Sequence, residues 1–104
     1  MEIPRTARIP FDVDVDALLP DGEDAPLTEV RWAICDRSGP TADTVWLTAT
    51  YDAVNDVGTA VVCGPDADDK SSALVLTVPR AQLWALPVQD GAAVPGFIDT
   101  LELL

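Results

Sequence analysis

This sequence predicts an all-β chain folded as an immunoglobulin-like sandwich of two sheets and about seven strands, and three observations predict it. Apolar and polar residues alternate with period two over several short runs. Nine prolines and six glycines cut those runs at short, even intervals. No window spaces its apolar residues as a long amphipathic helix would. At 104 residues there is room for one core, so residues 9–104 read as a single sandwich domain preceded by an N-terminal arm, residues 1–8.

The first strand is the clearest. From Arg8 to Asp16, Ile9, Phe11, Val13 and Val15 fall on one face and Asp12, Asp14 and Asp16 on the other. Pro10 has no N–H for a ladder bond, which places the start of this strand at a sheet edge. Residues 17–26, containing Pro20-Asp-Gly22, are turn material. Leu27 to Cys35 sets Val30, Trp32 and Ile34 on one side and ends at Asp36-Arg-Ser-Gly-Pro40; Trp32 is read as core between the sheets.

Thr44 to Tyr51 alternates again, Val45, Leu47, Ala49 and Tyr51 against Thr44, Trp46, Thr48 and Thr50, which leaves Trp46 on a solvated threonine face. Thr59–Cys63 is a short apolar strand and Gly64–Ser72 an acidic loop. Ser72–Val78 is a further strand closed by Pro79. Leu83–Val88 follows, and Phe97–Leu103 ends the chain as the last strand. Trp84 is read as largely buried.

Eighteen acids against six bases give a formal charge of −12, which makes phosphate backbones and anionic membranes poor partners. No nucleic-acid or membrane partner is expected. Residues 1–8 lack the apolar core of a secretory signal, and no stretch approaches a membrane span, so the chain reads as made in a cytoplasm. With no histidine, the common Ser-His and Cys-His pairs and histidine metal sites cannot be built, and the expectation is a protein that is not an enzyme. No catalytic residue, cofactor or metal is expected. Asp66-Ala-Asp-Asp-Lys70 resembles a calcium loop only in its acids: Lys70 and Ser71 stand where a ligand and the turn glycine belong, and Thr77 where a bidentate Glu belongs. Cys35 and Cys63 read as free buried thiols, with a bridge between facing strands as the alternative.

Six residues are candidates for partner binding. Asp12, Asp14 and Asp16 form a like-charge stripe, either a solvated outer face that discourages edge pairing or a docking ridge for a basic surface. Trp46 is either a contact residue or covered by its own chain. Arg5 and Arg8 lie in an arm that is either frayed or extended onto the acidic face of a neighbouring subunit, which would make the protein a homo-oligomer within an assembly.

Several segments taken in order, Arg8-Ile-Pro-Phe-Asp-Val13, Glu29-Val-Arg-Trp-Ala-Ile34, Thr44-Val-Trp-Leu-Thr48, Val62-Cys-Gly-Pro65 and Leu83-Trp-Ala-Leu-Pro-Val-Gln-Asp-Gly-Ala-Ala-Val-Pro95 before a closing apolar strand, resemble small virion proteins of tailed phages of actinobacteria. Asp90, Val94 and Pro95 fit the family's late turn, whereas Gly91-Ala-Ala93 depart from its more polar form. The resemblance implies a structural virion protein made in the host cytoplasm. A capsid-surface accessory or decoration protein binding a repetitive lattice of capsid or other virion subunits suits a small acidic sandwich. A tail or head-to-tail connector component is the near alternative, and a cellular protein- or carbohydrate-binding sandwich module the one from another class.

Overall fold

The computed structural model describes residues 1–14, 27–52, 57–89, 92–93 and 95–104. Val15, Asp16 and the turn at residues 17–26 lie outside them. The described residues form nine strands and no helix: β1 Glu2–Ile3, β2 Arg8–Asp14, β3 Leu27–Cys35, β4 Leu47–Asp52, β5 Val57–Cys63, β6 Leu74–Val75, β7 Arg80–Gln89, β8 Ala92–Ala93 and β9 Gly96–Leu103. All seven expected strands are present, and β1 and β8 are additions of two residues each. No helix of the described residues is long and apolar enough to cross a membrane.

The strands run in the order β1-β9-β7-β3-β4-β5-β2, with β8 beside β7 and β6 beside β5. They make two sheets that meet at β4. Its first half pairs with β3 (Leu47 with Trp32, Ala49 with Val30), and its second half pairs with β5 (Thr50 with Thr59, Asp52 with Val57). All pairs are antiparallel except β1 with β9 and β6 with β5.

The core lies between the sheets. Val30 and Trp32 of β3, Ala81, Leu83 and Ala85 of β7, and Leu101 of β9 meet Ala60 and Val62 of β5 and Leu76, with Ile9, Phe11 and Val13 of β2 packed against them. Trp32 is fully buried, as expected. Pro10 stands opposite Val61 on β2, the terminal strand of the order, so the edge expected from its missing N–H is where it is found. Pro87 is tolerated inside β7 for a related reason. The described pairing with β9 stops at Ala85 and that with β8 starts at Val88, so no described strand residue faces Pro87 on that side.

Two strand boundaries differ from expectation. The strand expected from Thr44 starts at Leu47, because residues 41–44 are held as a turn: Thr44 N donates to Thr41 O, and Thr41 N donates to Thr44 Oγ1 at 2.8 Å. Val45, expected on the core face, is 86% exposed in consequence. The strand expected over Ser72–Val78 shrinks to Leu74–Val75. Among the described residues it pairs only with Val62 and Cys63 at the end of β5, where Leu76 N still reaches Cys63 O.

The N-terminal segment is tied into its own domain. Ile3 is fully buried, Glu102 N donates to Met1 O, and Leu104 N donates to Ile3 O. Residues 5–7 then cross the turn after β5, where Gly64 N donates to Ala7 O and Asp66 N to Arg5 O. The segment is a strap along β9 and over Gly64 in place of a frayed arm. The burial of Ile3, which only the tertiary fold supplies, is the physical reason.

Candidate protein-binding surfaces

The two arginines of that strap are occupied by acids of the loop after β5. Arg5 Nε donates to Asp66 Oδ2 at 2.9 Å. Arg8 donates to Asp69 O at 3.0 Å and lies 3.9 Å from its carboxylate. Ser71 donates both its hydroxyl and its N–H to Asp69; these bonds first, and Arg8 after them, hold the Asp69 carboxyl below its ordinary range. This loop is organised by its own side chains, and among the described residues no cluster of acids, histidines or cysteines could hold a metal ion.

Arg8 and Asp12 share the outward face of β2, about 13 Å apart at strand rise. Asp12 is exposed and accepts a 2.7 Å bond from Thr59 Oγ1 on β5. Asp14 is placed opposite Val57 in the ladder, and Asp16 lies outside the described residues. Trp46 is half-buried immediately before β4, not on a strand face. Arg8 and Asp12 are thus brought to one sheet face, whereas Arg5 stands over the Gly64 turn and Trp46 leads into the crossover strand.

Two surfaces carry residues that the candidate set omits. On the outer face of the β3-β7-β9 sheet, Trp84 and Phe97 meet edge to face, with centroids 5.7 Å apart and rings at 70°. Phe97 is 49% exposed, and Trp84 is half-buried under Gly39, so the expectation of a largely buried Trp84 is corrected. The cause is parity. The inward positions of β7 are taken by Ala81, Leu83 and Ala85, which puts Trp84 on the outside. The same sheet carries closed ion pairs farther along its strands, Arg31 with Glu29 on β3 and Arg80 with Glu102 at 2.8 Å between β7 and β9.

The second surface is a partly open cleft of about 440 Å³ where β4 changes sheets, lined by Arg8, Trp32, Leu47, Thr48, Thr59, Ala60, Val61 and Ser72. The Trp32 indole N–H is shut off from solvent and has no acceptor among the described residues. Ser72 adopts a left-handed backbone, φ 53°, rare for a residue with a Cβ.

Cys35 and Cys63 are both buried and both free. Burial pushes the Cys35 thiol up, outweighing a hydrogen bond with Thr44 that lowers it, and Asp36 adds to the rise. This is the opposite of an activated nucleophile. The fold and these surfaces define an all-β, two-sheet protein with an acidic exterior. No protein-family model, no curated protein and no solved structure gives a match to this chain.

Proposed function

We propose that the chain is a non-enzymatic structural protein of a phage particle, an accessory or decoration protein that binds a repetitive protein lattice on the capsid surface. The observation that carries this reading is the ordered resemblance of five segments, spanning most of the chain, to small virion proteins of tailed phages. The geometry is compatible with it: a single acidic domain fastened at its N-terminus, and ion pairs in place of a reactive cluster among the described residues.

An immunoglobulin-like topology goes with the proposal. Pairing of the second strand with the fifth, the third with the seventh and the seventh with the last, across two sheets, supports that reading, because Greek-key sandwiches of that class pair strands remote in sequence. The buried Trp32 on the third strand stands where such domains keep a core tryptophan, without the inter-sheet disulfide that antibody domains carry.

The Trp84–Phe97 pair favours a second reading, a cellular protein- or carbohydrate-binding module, because exposed aromatics grouped on one sheet face are what such a module presents. Quantitative mass spectrometry of purified particles from an actinobacterial host carrying this gene separates the readings. Copies in proportion to the major capsid subunit support decoration, and copies matching a single vertex or tail move the protein to a connector or tail. Absence from the particle overturns the virion reading and leaves the binding module.

A further inference from the structure

We infer that the open edge of β2 pairs with β2 of a second copy of this chain, antiparallel about a two-fold axis at Phe11, so that one sheet runs on from one molecule into the next. Such pairing is open to the chain whether or not it belongs to a virion.

The two sheets end differently. The sheet of β3, β7 and β9 is closed beyond β9 by β1, whose Ile3 is fully buried. The sheet of β5 ends at β2, and among the described residues no strand lies on the far side of β2. Ile9, Phe11 and Val13 pack against the core yet stay half-buried, whereas Ala60 and Val62 of the neighbouring β5 are buried. A terminal strand in this condition is a template for strand addition.

The pairing fixes which main-chain groups are open. Gly64 N donates to Ala7 O, so Ala7 and Gly64 extend the β2–β5 ladder as a hydrogen-bonded pair. Alternation along an antiparallel ladder then turns Ile9, Phe11 and Val13 toward β5. Arg8, Pro10, Asp12 and Asp14 turn their main-chain groups to the open side. Pro10 agrees with this, since its nitrogen has no hydrogen to offer β5.

The residues on that edge select a second copy and one register. A facing β2 keeps its apolar residues on the core side when the axis passes Pro10, Phe11 or Asp12. At Pro10, two prolines stand opposite each other and neither can donate. At Asp12, two like charges stand directly opposite, which is destabilising. At Phe11 both faults are avoided. Arg8 then stands opposite Asp14 of the second copy, twice, and Ile9 opposite Val13. Phe11 meets its own copy in the pair type whose side chains come closest. Each Pro10 O receives Asp12 N of the other copy, and the missing proline donor costs one ladder bond per copy. Asp12 and its copy fall on a diagonal, about 7–8 Å apart. Thr59 holds the Asp12 carboxylate from the β5 side, and Arg8 meets Asp69 through Nη1, leaving its other donors for Asp14. A self-complementary edge of this kind is what an isologous dimer uses.

The test is sedimentation equilibrium from micromolar to millimolar chain at about 0.15 M salt, where charges more than about 8 Å apart are largely screened. A species of twice the 11.0 kDa chain mass is expected to grow with concentration. NMR of the same samples should show a nuclear Overhauser contact between Ile9 Hα and Val13 Hα. Those atoms are about 13 Å apart along one strand, so only a facing copy brings them together. Asp12→Pro removes a donor that the second copy needs and none that β5 uses, so the variant should be folded and monomeric, whereas Asp12→Asn should still dimerise. Arg8→Glu sets two acid pairs across the axis and should weaken association about tenfold or more, and adding Asp14→Arg should restore it. That charge exchange decides the matter where Asp12→Pro fails to fold. A chain still monomeric at millimolar concentration overturns the proposal, including one that instead binds an alternating Lys-Val peptide at β2. A dimer without the Ile9–Val13 contact, or one that survives Asp12→Pro, overturns it by placing the interface elsewhere. Copy number in particles bears on the virion reading alone.

Discussion

β7 and β5 are the inner strands of the two sheets, and they are served very differently. β7 has β3 along one side from Gln82 to Gln89, with β9 and then β8 along the other, and its inward Ala81, Leu83 and Ala85 are at most 3% exposed. β5 shows equally clean alternation of half-buried and buried residues, yet one of its sides is divided between two partial partners. The contrast teaches that a strand's own pattern decides which face is buried, while the connections decide whether its main chain is covered. β7 makes the core, and β5 makes both core and opening.

Trp32 lies on both sides of that contrast. It pairs with Ala85 of β7 in one sheet, stands opposite Leu47 of the crossover strand, and forms part of the cleft wall. Trp32→Ala should cost about 3–5 kcal/mol in denaturant unfolding, as expected when a large buried ring leaves a cavity. A loss under about 1 kcal/mol would mean that the cleft side already gives the ring little packing, and the comparison would break. Trp32→Phe sharpens it. The smaller ring loses contacts but removes a donor whose burial without a partner costs about 1–3 kcal/mol, so the net change should stay within about 1 kcal/mol.

A smaller effect is expected where the N-terminal strap crosses the end of β5. A Cβ on Gly64 would lie 2.3 Å from Arg5 O and 2.5 Å from Arg5 C. Both are backbone atoms, so no side-chain rotation relieves the contact, and one chain must move. Gly64→Ala should therefore cost about 1–3 kcal/mol, the usual range for overpacking. The amides of Asp66 and Leu104, which donate to Arg5 O and Ile3 O, should exchange faster with solvent. Unchanged stability and exchange would show the strap to be dispensable, leaving the β7 sheet stable without β1 at its edge.

Most of the strands were legible because alternation is a local property. Ile9, Phe11 and Val13 needed only the period of a pleated strand, and Pro10 announced its own edge. What escaped was set by contacts remote in sequence. Two-residue strands such as Glu2–Ile3 have no period to read, and Ile3 becomes a core residue only because β9 lies beside it. The start of β4 was displaced by a Thr41–Thr44 side-chain bond that an alternating pattern does not reveal. The cleft was illegible for the same reason: Val61 looks like ordinary strand interior until the earlier part of β4 leaves to pair with β3. Of the candidate residues, Arg8 lines that cleft and Asp12 is bonded to another of its walls, so the sequence reached the rim and missed the floor.

The smallest expected effect concerns the β3 end of the better-covered sheet. Cys35 is read by the pH dependence of stability, and its sign is fixed by the direction of its shift. Burial raises the thiol's pKa in the folded chain, so above the ordinary thiol range, about 8.5, the unfolded state loses this proton while the folded state keeps it. Stability contributed by the neutral buried thiol is complete below that range and declines as pH rises through it. Denaturant unfolding between neutral and alkaline pH should show this decline in the native sequence, and less of it in Cys35→Ala, the difference between the two isolating the contribution of this thiol. Thr44→Ala should steepen the decline, because its hydrogen bond is the one influence that lowers the thiol's pKa. Identical slopes in the native sequence and Cys35→Ala would mean that water reaches Cys35 in the folded chain, and that the loop over residues 36–44 covers its sheet no better than β6 covers the end of β5.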